Sequence, residues 1–185
     1  ALSYLHRHGV VHCDLKPANV MVVRDSSGTH VKLLDFGLAH AHEAVQRGDV
    51  AGTISYMAPE LFEGEQPSEA ADMFAFGAIA YEVFAGQHPF DRGDDAELVL
   101  ALLGKEPDWK AIEEFPRLVE LLERLLSKSS LMRPSAAEAL DALAQAMGIE
   151  VPKETSAMRD SALQAARFVG REGPWVMLRS GLDSA

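Results

Sequence analysis

Val11-His12-Cys13-Asp14-Leu15-Lys16-Pro17-Ala18-Asn19 is the stretch on which the reading of this chain turns. Val10 and Val11 lead into it, and the apolar run Val20 to Val23 follows. A short loop between two strand-forming segments therefore gathers an acid, a base and an amide: Asp14, Lys16 and Asn19. A second apolar run, His30 to Leu34, lies beyond the turn-forming Asp25-Ser26-Ser27-Gly28. A β-hairpin is the economical reading. It sets Asn19 just before one strand and Asp35 just after the other, so two oxygen ligands converge at one end of the hairpin on a single metal ion. Taken alone, Asp14, Lys16 and Asn19 also fit a polar turn between strands.

Asp35-Phe36-Gly37 begins twenty-one residues after Asp14, and Tyr56-Met57-Ala58-Pro59-Glu60 begins twenty-one after Asp35. In this order and spacing the chain resembles the eukaryotic-like (Hanks-type) serine/threonine protein kinases of bacteria. Their catalytic loop, His-Arg-Asp-Leu-x-x-x-Asn, is followed by Asp-Phe-Gly and Ala-Pro-Glu. The resemblance covers residues 1–147 and is to the C-terminal lobe only. It implies a mainly α fold with a small β-hairpin at the active site.

The resemblance also implies a division of labour for phosphoryl transfer from ATP, which needs phosphates held, charge neutralised and an acceptor hydroxyl aimed. Asp14 would accept or orient the hydroxyl proton, and Lys16 would stabilise the transferred γ-phosphate. Asn19 and Asp35 would hold Mg²⁺, and Met21 would lie under the adenine ring. His12 would pack beneath the Asp35-Phe36-Gly37 segment. Lys16, two residues after Asp14, and Thr53, after Gly52, are features of kinases that act on Ser and Thr of proteins.

Cys13 departs from the family pattern, which has arginine there. That arginine binds a phosphate on the activation segment in many members; a neutral thiol offers no cationic donor. From Leu38 to Ala51 there is no Ser, Thr or Tyr, so activation by phosphorylation within that stretch is not expected. A redox role for Cys13 is the alternative, but the neighbouring carboxylate disfavours the thiolate. A small, semi-buried residue is the plainer reading.

Behind the loop, Glu69 to Ala85 is apolar on nearly every face and belongs in a core. Asp72, an acid near the start of this otherwise apolar helix, needs a partner. By the resemblance, that partner is the backbone of the His12 to Asp14 turn. Glu60 and Arg133 match a structural ion pair of the family. Asp94 to Gly104 and Pro116 to Ser127 carry helical spacing, with Trp109 and Phe115 as core anchors, and Ser135 to Met147 opens with a capping box at Ser135 and Glu138. Leu2 and Leu5 place a helix over Ala1 to His8, with Gly9 as its stop. His6, His8 and His12 invite a metal reading; helix-end charge for His6 and His8 and packing for His12 are the plainer accounts.

A net charge of −11 argues against a nucleic-acid partner. The acidic Glu63, Glu65, Asp91, Asp94 and Asp95 would favour basic substrates, although a solvated face explains them as well. The single cysteine excludes an internal disulfide framework and points to a reducing, cytoplasmic setting. No apolar run is long enough to span a membrane.

Residues 148–166 read as a linker. In residues 167–185, Phe168-Val169-Gly170-Arg171-Glu172 resembles the opening of AAA/STAND-type ATPase modules fused behind bacterial kinases; a plain C-terminal helix is the alternative. The small-lobe glycine-rich loop, lysine and glutamate of a working kinase are not among the 185 residues. The expectation is a kinase fragment that transfers phosphate when the full chain is present. The alternative is a catalytically silent lobe that scaffolds partners.

Overall fold

The computed structural model describes residues 1–26, 28–34, 54–90 and 94–150. Among them it is mainly α, with one two-stranded antiparallel sheet. Helix α1 spans Leu2–Arg7, strands β1 and β2 span Val20–Asp25 and Gly28–Leu33, and helices α2 to α6 follow at Pro59–Phe62, Glu69–Ala85, Asp95–Gly104, Pro116–Leu125 and Ala136–Met147. Short 3-10 turns occur at Pro17–Asn19, Ile54–Tyr56, Trp109–Ile112 and Ser130–Met132. No described helix is long and apolar enough to cross a membrane.

α3 is the axis of the core. Ser68 caps its start by accepting from the Ala71 N–H, and Gly86, left-handed at φ 69°, ends it. Met73, Phe74, Ala78 and Tyr81 are buried along it, and Leu118, Leu121, Leu122 and Leu125 of α5 pack against it. Each fully buried Leu or Phe contributes about 1.5–3 kcal/mol relative to exposure. The two helices cross closely because Gly77 has no side chain: a Cβ there would meet the Leu125 Cβ at 2.8 Å.

Three expectations needed correction. Both strands run further toward the turn than the apolar runs suggested, and the register closes on an Asp25↔Gly28 pair, so those two residues join the ladder; Leu34 lies just past β2. The last turn of α3 is not core: Val83 is 72 % exposed, with Phe84 beside it partly exposed. Phe115 is exposed as well and lies against Phe84 at 5.7 Å, whereas Trp109 does meet the core, edge-on to Tyr81. Apolar character named these residues, but among the described residues Phe84 and Phe115 cover each other only in part.

Glu60 of α2 and Arg133 form a buried, two-pronged pair, Nη1 to Oε1 at 2.6 Å and Nη2 to Oε2 at 2.7 Å. The remaining guanidinium donors reach the carbonyls of Ser127, Ala70 and Lys128, so all five N–H groups are used. This joins α2, the start of α3 and the segment after α5. Beside it the Lys128 ammonium lies 4.0 Å over the Phe90 ring. Burial pushes this amine down to about 8, opposed by Glu106 and assisted by Arg133.

Two predictions follow from the packing. Gly77→Ala should lower stability by about 1–3 kcal/mol in urea unfolding, because the overlap is with side chains of a packed neighbour. For Lys128 the folded amine releases its proton more readily than the unfolded one. Between pH 8 and its unfolded value the folded state therefore binds fewer protons, and stability rises with pH. Thermal unfolding should show that rise, and Lys128→Met should flatten it.

Candidate functional site

The site is built on a turn that the chain adopts only because a carboxylate holds it. Cys13 has φ 67°, in the left-handed region that costs an L-residue roughly 1–2 kcal/mol. Asp72 of α3 offsets that cost. Its Oδ2 accepts from the His12 backbone N–H at 2.7 Å, and its Oδ1 accepts from the Cys13 N–H at 3.0 Å. A third donor is the His6 Nε2, at 2.9 Å from Oδ2. Asp72 is 2 % exposed, and these contacts are what allow a carboxylate to sit inside an apolar helix bundle.

The turn presents Asp14, Lys16 and Asn19 together. The Lys16 Nζ lies 2.8 Å from Asp14 Oδ2 and 3.1 Å from Oδ1. The Asn19 amide donates to the Asp14 carbonyl at 2.7 Å and to its Oδ2 at 3.1 Å. Asp14 and Lys16 are 18 % and 22 % exposed, so the pair is sheltered yet reachable. Asn19 itself is buried. Because its nitrogen is turned to Asp14, its carbonyl oxygen is left for another partner, and a hard oxygen suits Mg²⁺. The Leu34 N–H donates to the Asn19 carbonyl at 2.8 Å, which brings the end of β2 against the start of β1.

His12 is fully buried and its Nε2 donates to the Leu34 carbonyl at 3.1 Å; burial holds the imidazole below its ordinary value, against Asp72 and Asp14. Met21 is 45 % exposed on the hairpin. Asp35, Phe36, Gly37 and Thr53 lie outside the described residues, as do the stretch Leu38 to Ala51 and residues 151–185. Burial, then Asp72 and Asp14, push the Cys13 thiol up to about 11, so it is protonated and unreactive near neutrality.

Two contributors were missed in the sequence. His6 is not a helix-end charge at the surface but the third donor to Asp72; its place four residues after Leu2, on the same helix face, was the available signal. Tyr56 lines a small cavity between the Cys13–Leu15 turn and Ala71, Asp72 and Ala75 of α3, and its hydroxyl donates to Glu82. His8 hydrogen-bonds the Tyr4 carbonyl. Among the described residues no three His, Cys, Asp or Glu are grouped to hold a metal.

The left-handed turn generates a prediction. Cys13→Gly should leave stability unchanged or raise it, whereas Cys13→Val should lower it by about 1–2 kcal/mol in thermal unfolding.

The protein kinase domain family model matches residues 1–143. The chain is 36 % identical over 179 residues to the serine/threonine-protein kinase pkn3 of Myxococcus xanthus, covering 90 % of this chain and 33 % of that protein. It is 39 % identical over 137 residues to the serine/threonine-protein kinase PknA of Mycobacterium tuberculosis, covering 72 % and 31 %. It is thus similar to about a third of each relative's length. Among solved structures, Rad53 residues 1–466 in complex with AMP-PNP match at 28 % identity and a TM-score of 0.61, covering 77 % of this chain and 36 % of that one. A Rad53 kinase domain with SCD2 and AMPPNP matches in fold at 23 % identity and a TM-score of 0.62, over 87 % and 61 %. The chain belongs to the protein kinase domain family.

Proposed function

We propose that this chain is the C-terminal lobe of a serine/threonine protein kinase, which transfers the γ-phosphate of ATP to Ser or Thr hydroxyls of proteins when a small lobe is present. The observation that carries this reading is the Asp14–Lys16–Asn19 constellation on a turn anchored by Asp72. The kinase names of the relatives, and the nucleotide analogue in the Rad53 complex, support ATP as donor and Ser/Thr as acceptor.

Asp14 is the base or orienter: its carboxylate faces the cleft and accepts the acceptor hydroxyl's hydrogen bond. Asn19 and Lys16 hold that carboxylate in one rotamer, so orientation is paid before substrate arrives. Lys16 also brings a positive charge to where the transferred phosphoryl group passes. Asn19 and Asp35, one peptide bond beyond Leu34, would hold Mg²⁺, which would supply positive charge to neutralise the phosphates. Met21, on the hairpin, supplies an apolar surface for the adenine. The exposed cross-strand pair Val22↔Val31 leaves the hairpin undercovered for a two-stranded sheet, in keeping with a small lobe seated on it. Cys13, in place of a phosphate-binding arginine, fits activation without phosphorylation of Leu38 to Ala51. The scaffold alternative has no use for Lys16 and Asn19 both converging on Asp14.

In the full-length polypeptide, Asp14→Asn should lower phosphotransfer to a Ser/Thr peptide by about 10²–10⁴-fold while folding is retained. Radiolabelled ATP and phosphoamino-acid analysis provide the readout. A variant within a few-fold of wild type, or label on Tyr alone, overturns the reading.

A further inference from the structure

Helix α3 is apolar on nearly every face, and a helix of that kind belongs where all its faces are covered. Its last turn is not covered among the described residues. Val83 and Phe84 are exposed there, and the Phe84 ring meets the exposed ring of Phe115 at 5.7 Å. Phe115 stands at the head of α5, where its carbonyl accepts from the Leu118 and Val119 N–H groups, so its backbone is fixed. Glu113 and Glu114, both exposed, adjoin it. The result is a small apolar face with an acidic rim. Apolar side chains scattered singly over a surface need no explanation, but a group of them at the end of a core helix does.

The chain itself comes back to this face. Arg117, two residues beyond Phe115, donates from Nη1 to the Gln145 carbonyl at 3.4 Å, in the last turn of α6. Gly148, left-handed at φ 66°, then stops that helix, and the Ile149 N–H folds back to the Ala144 carbonyl. Met147 and Ile149 are exposed at this exit. Residues 151–168 follow directly, and their sequence supplies what the face lacks. Met158, Leu163 and Phe168 are apolar, with Ala162, Ala165 and Ala166 among them. Lys153, Arg159 and Arg167 outnumber Glu154 and Asp160, in a chain whose net charge is −11. The similarity to pkn3 covers 90 % of the chain and so runs past residue 143, where the kinase family model stops.

We propose that residues 151–168 fold back on the lobe and cover Val83, Phe84 and Phe115, with their basic side chains toward Glu113 and Glu114. Apolar burial supplies the attraction, and the opposite charges fix which way the segment lies. The inference goes beyond the kinase reading and does not rest on it: an active enzyme and a silent scaffold would carry the same contact. A second copy of the chain and an unrelated protein are the other occupants of such a face, and the test separates them.

In the full-length polypeptide, trypsin reports on the segment at Arg159 and Arg167, with the cut sites assigned by mass spectrometry. Cleavage there should be about 5- to 20-fold faster in Phe115→Ser than in wild type, the scale of one partly buried aromatic contact. Val83→Ser is the second variant should the first not fold, and thermal unfolding is measured on both. Leu131→Ser, at an exposed apolar residue beyond the other end of α5, is the control and should stay within about two-fold of wild type. A photoreactive benzoylphenylalanine at position 115 then identifies the occupant. It should couple to a peptide from residues 151–168 of the same chain, with a yield independent of protein concentration. Equal cleavage rates in wild type and a folded variant overturn the proposal. So does coupling to a second copy, seen as a species of twice the mass, coupling to another protein, or the absence of any coupled peptide from residues 151–168.

Discussion

One buried carboxylate sets the geometry of this molecule. Asp72 sits in the first turn of α3, followed by Met73, Phe74 and Ala75, and it is almost inaccessible to water. Such a group persists only if its oxygens are satisfied, and here two backbone N–H groups and an imidazole satisfy them. The dependence runs both ways. The His12–Cys13 turn includes a left-handed cysteine, a conformation that a loop residue would abandon without a strong reason. Asp72 supplies the reason, and the turn in return removes the desolvation cost of Asp72. Asp14 is the next residue, so its direction is inherited from this exchange.

The same logic of buried charge recurs at the far side of α3. Glu60 and Arg133 are costly to bury singly, by about 3–5 kcal/mol if one partner is removed, and tolerable together because every guanidinium donor finds an acceptor. Asp72 faces the His12–Cys13 turn, and the Glu60–Arg133 pair ties α2 to the segment before α6. α3 is therefore gripped at its start by both contacts, at Ala70 and Asp72, and along its length by Leu packing. A loop whose acid must be aimed within a fraction of an ångström benefits from such a frame, since its second layer cannot drift.

The charge state of the site follows from this burial. The Cys13 thiol is held protonated by desolvation and by two carboxylates, so the departure from arginine yields a quiet residue rather than a reactive one. Burial likewise favours the neutral form of His12, here against Asp72 and Asp14, which favour its cation. Net charge and composition describe neither effect, because both depend on which groups lie within a few ångströms in the folded chain.

What the sequence determined by itself was local. Asp14, Lys16 and Asn19 lie within six residues, so their meeting required only a turn. The bounds of α3 at Glu69 and Ala85 were legible from its apolar run, and the capping box at Ser135 and Glu138 from its Ser-x-x-Glu pattern, whereas the Ser68 cap appears only in the structure. The strand ends, the exposure of Val83, Phe84 and Phe115, and the role of His6 were decided only by tertiary structure. His6 and Asp72 are 66 residues apart, and nothing in the spacing of either announces the other. A histidine near a helix end has the same local signature whether it faces water or a buried carboxylate. Which it faces depends on how α1 docks against α3, and that is fixed by the summed packing of the core, not by any short stretch of chain.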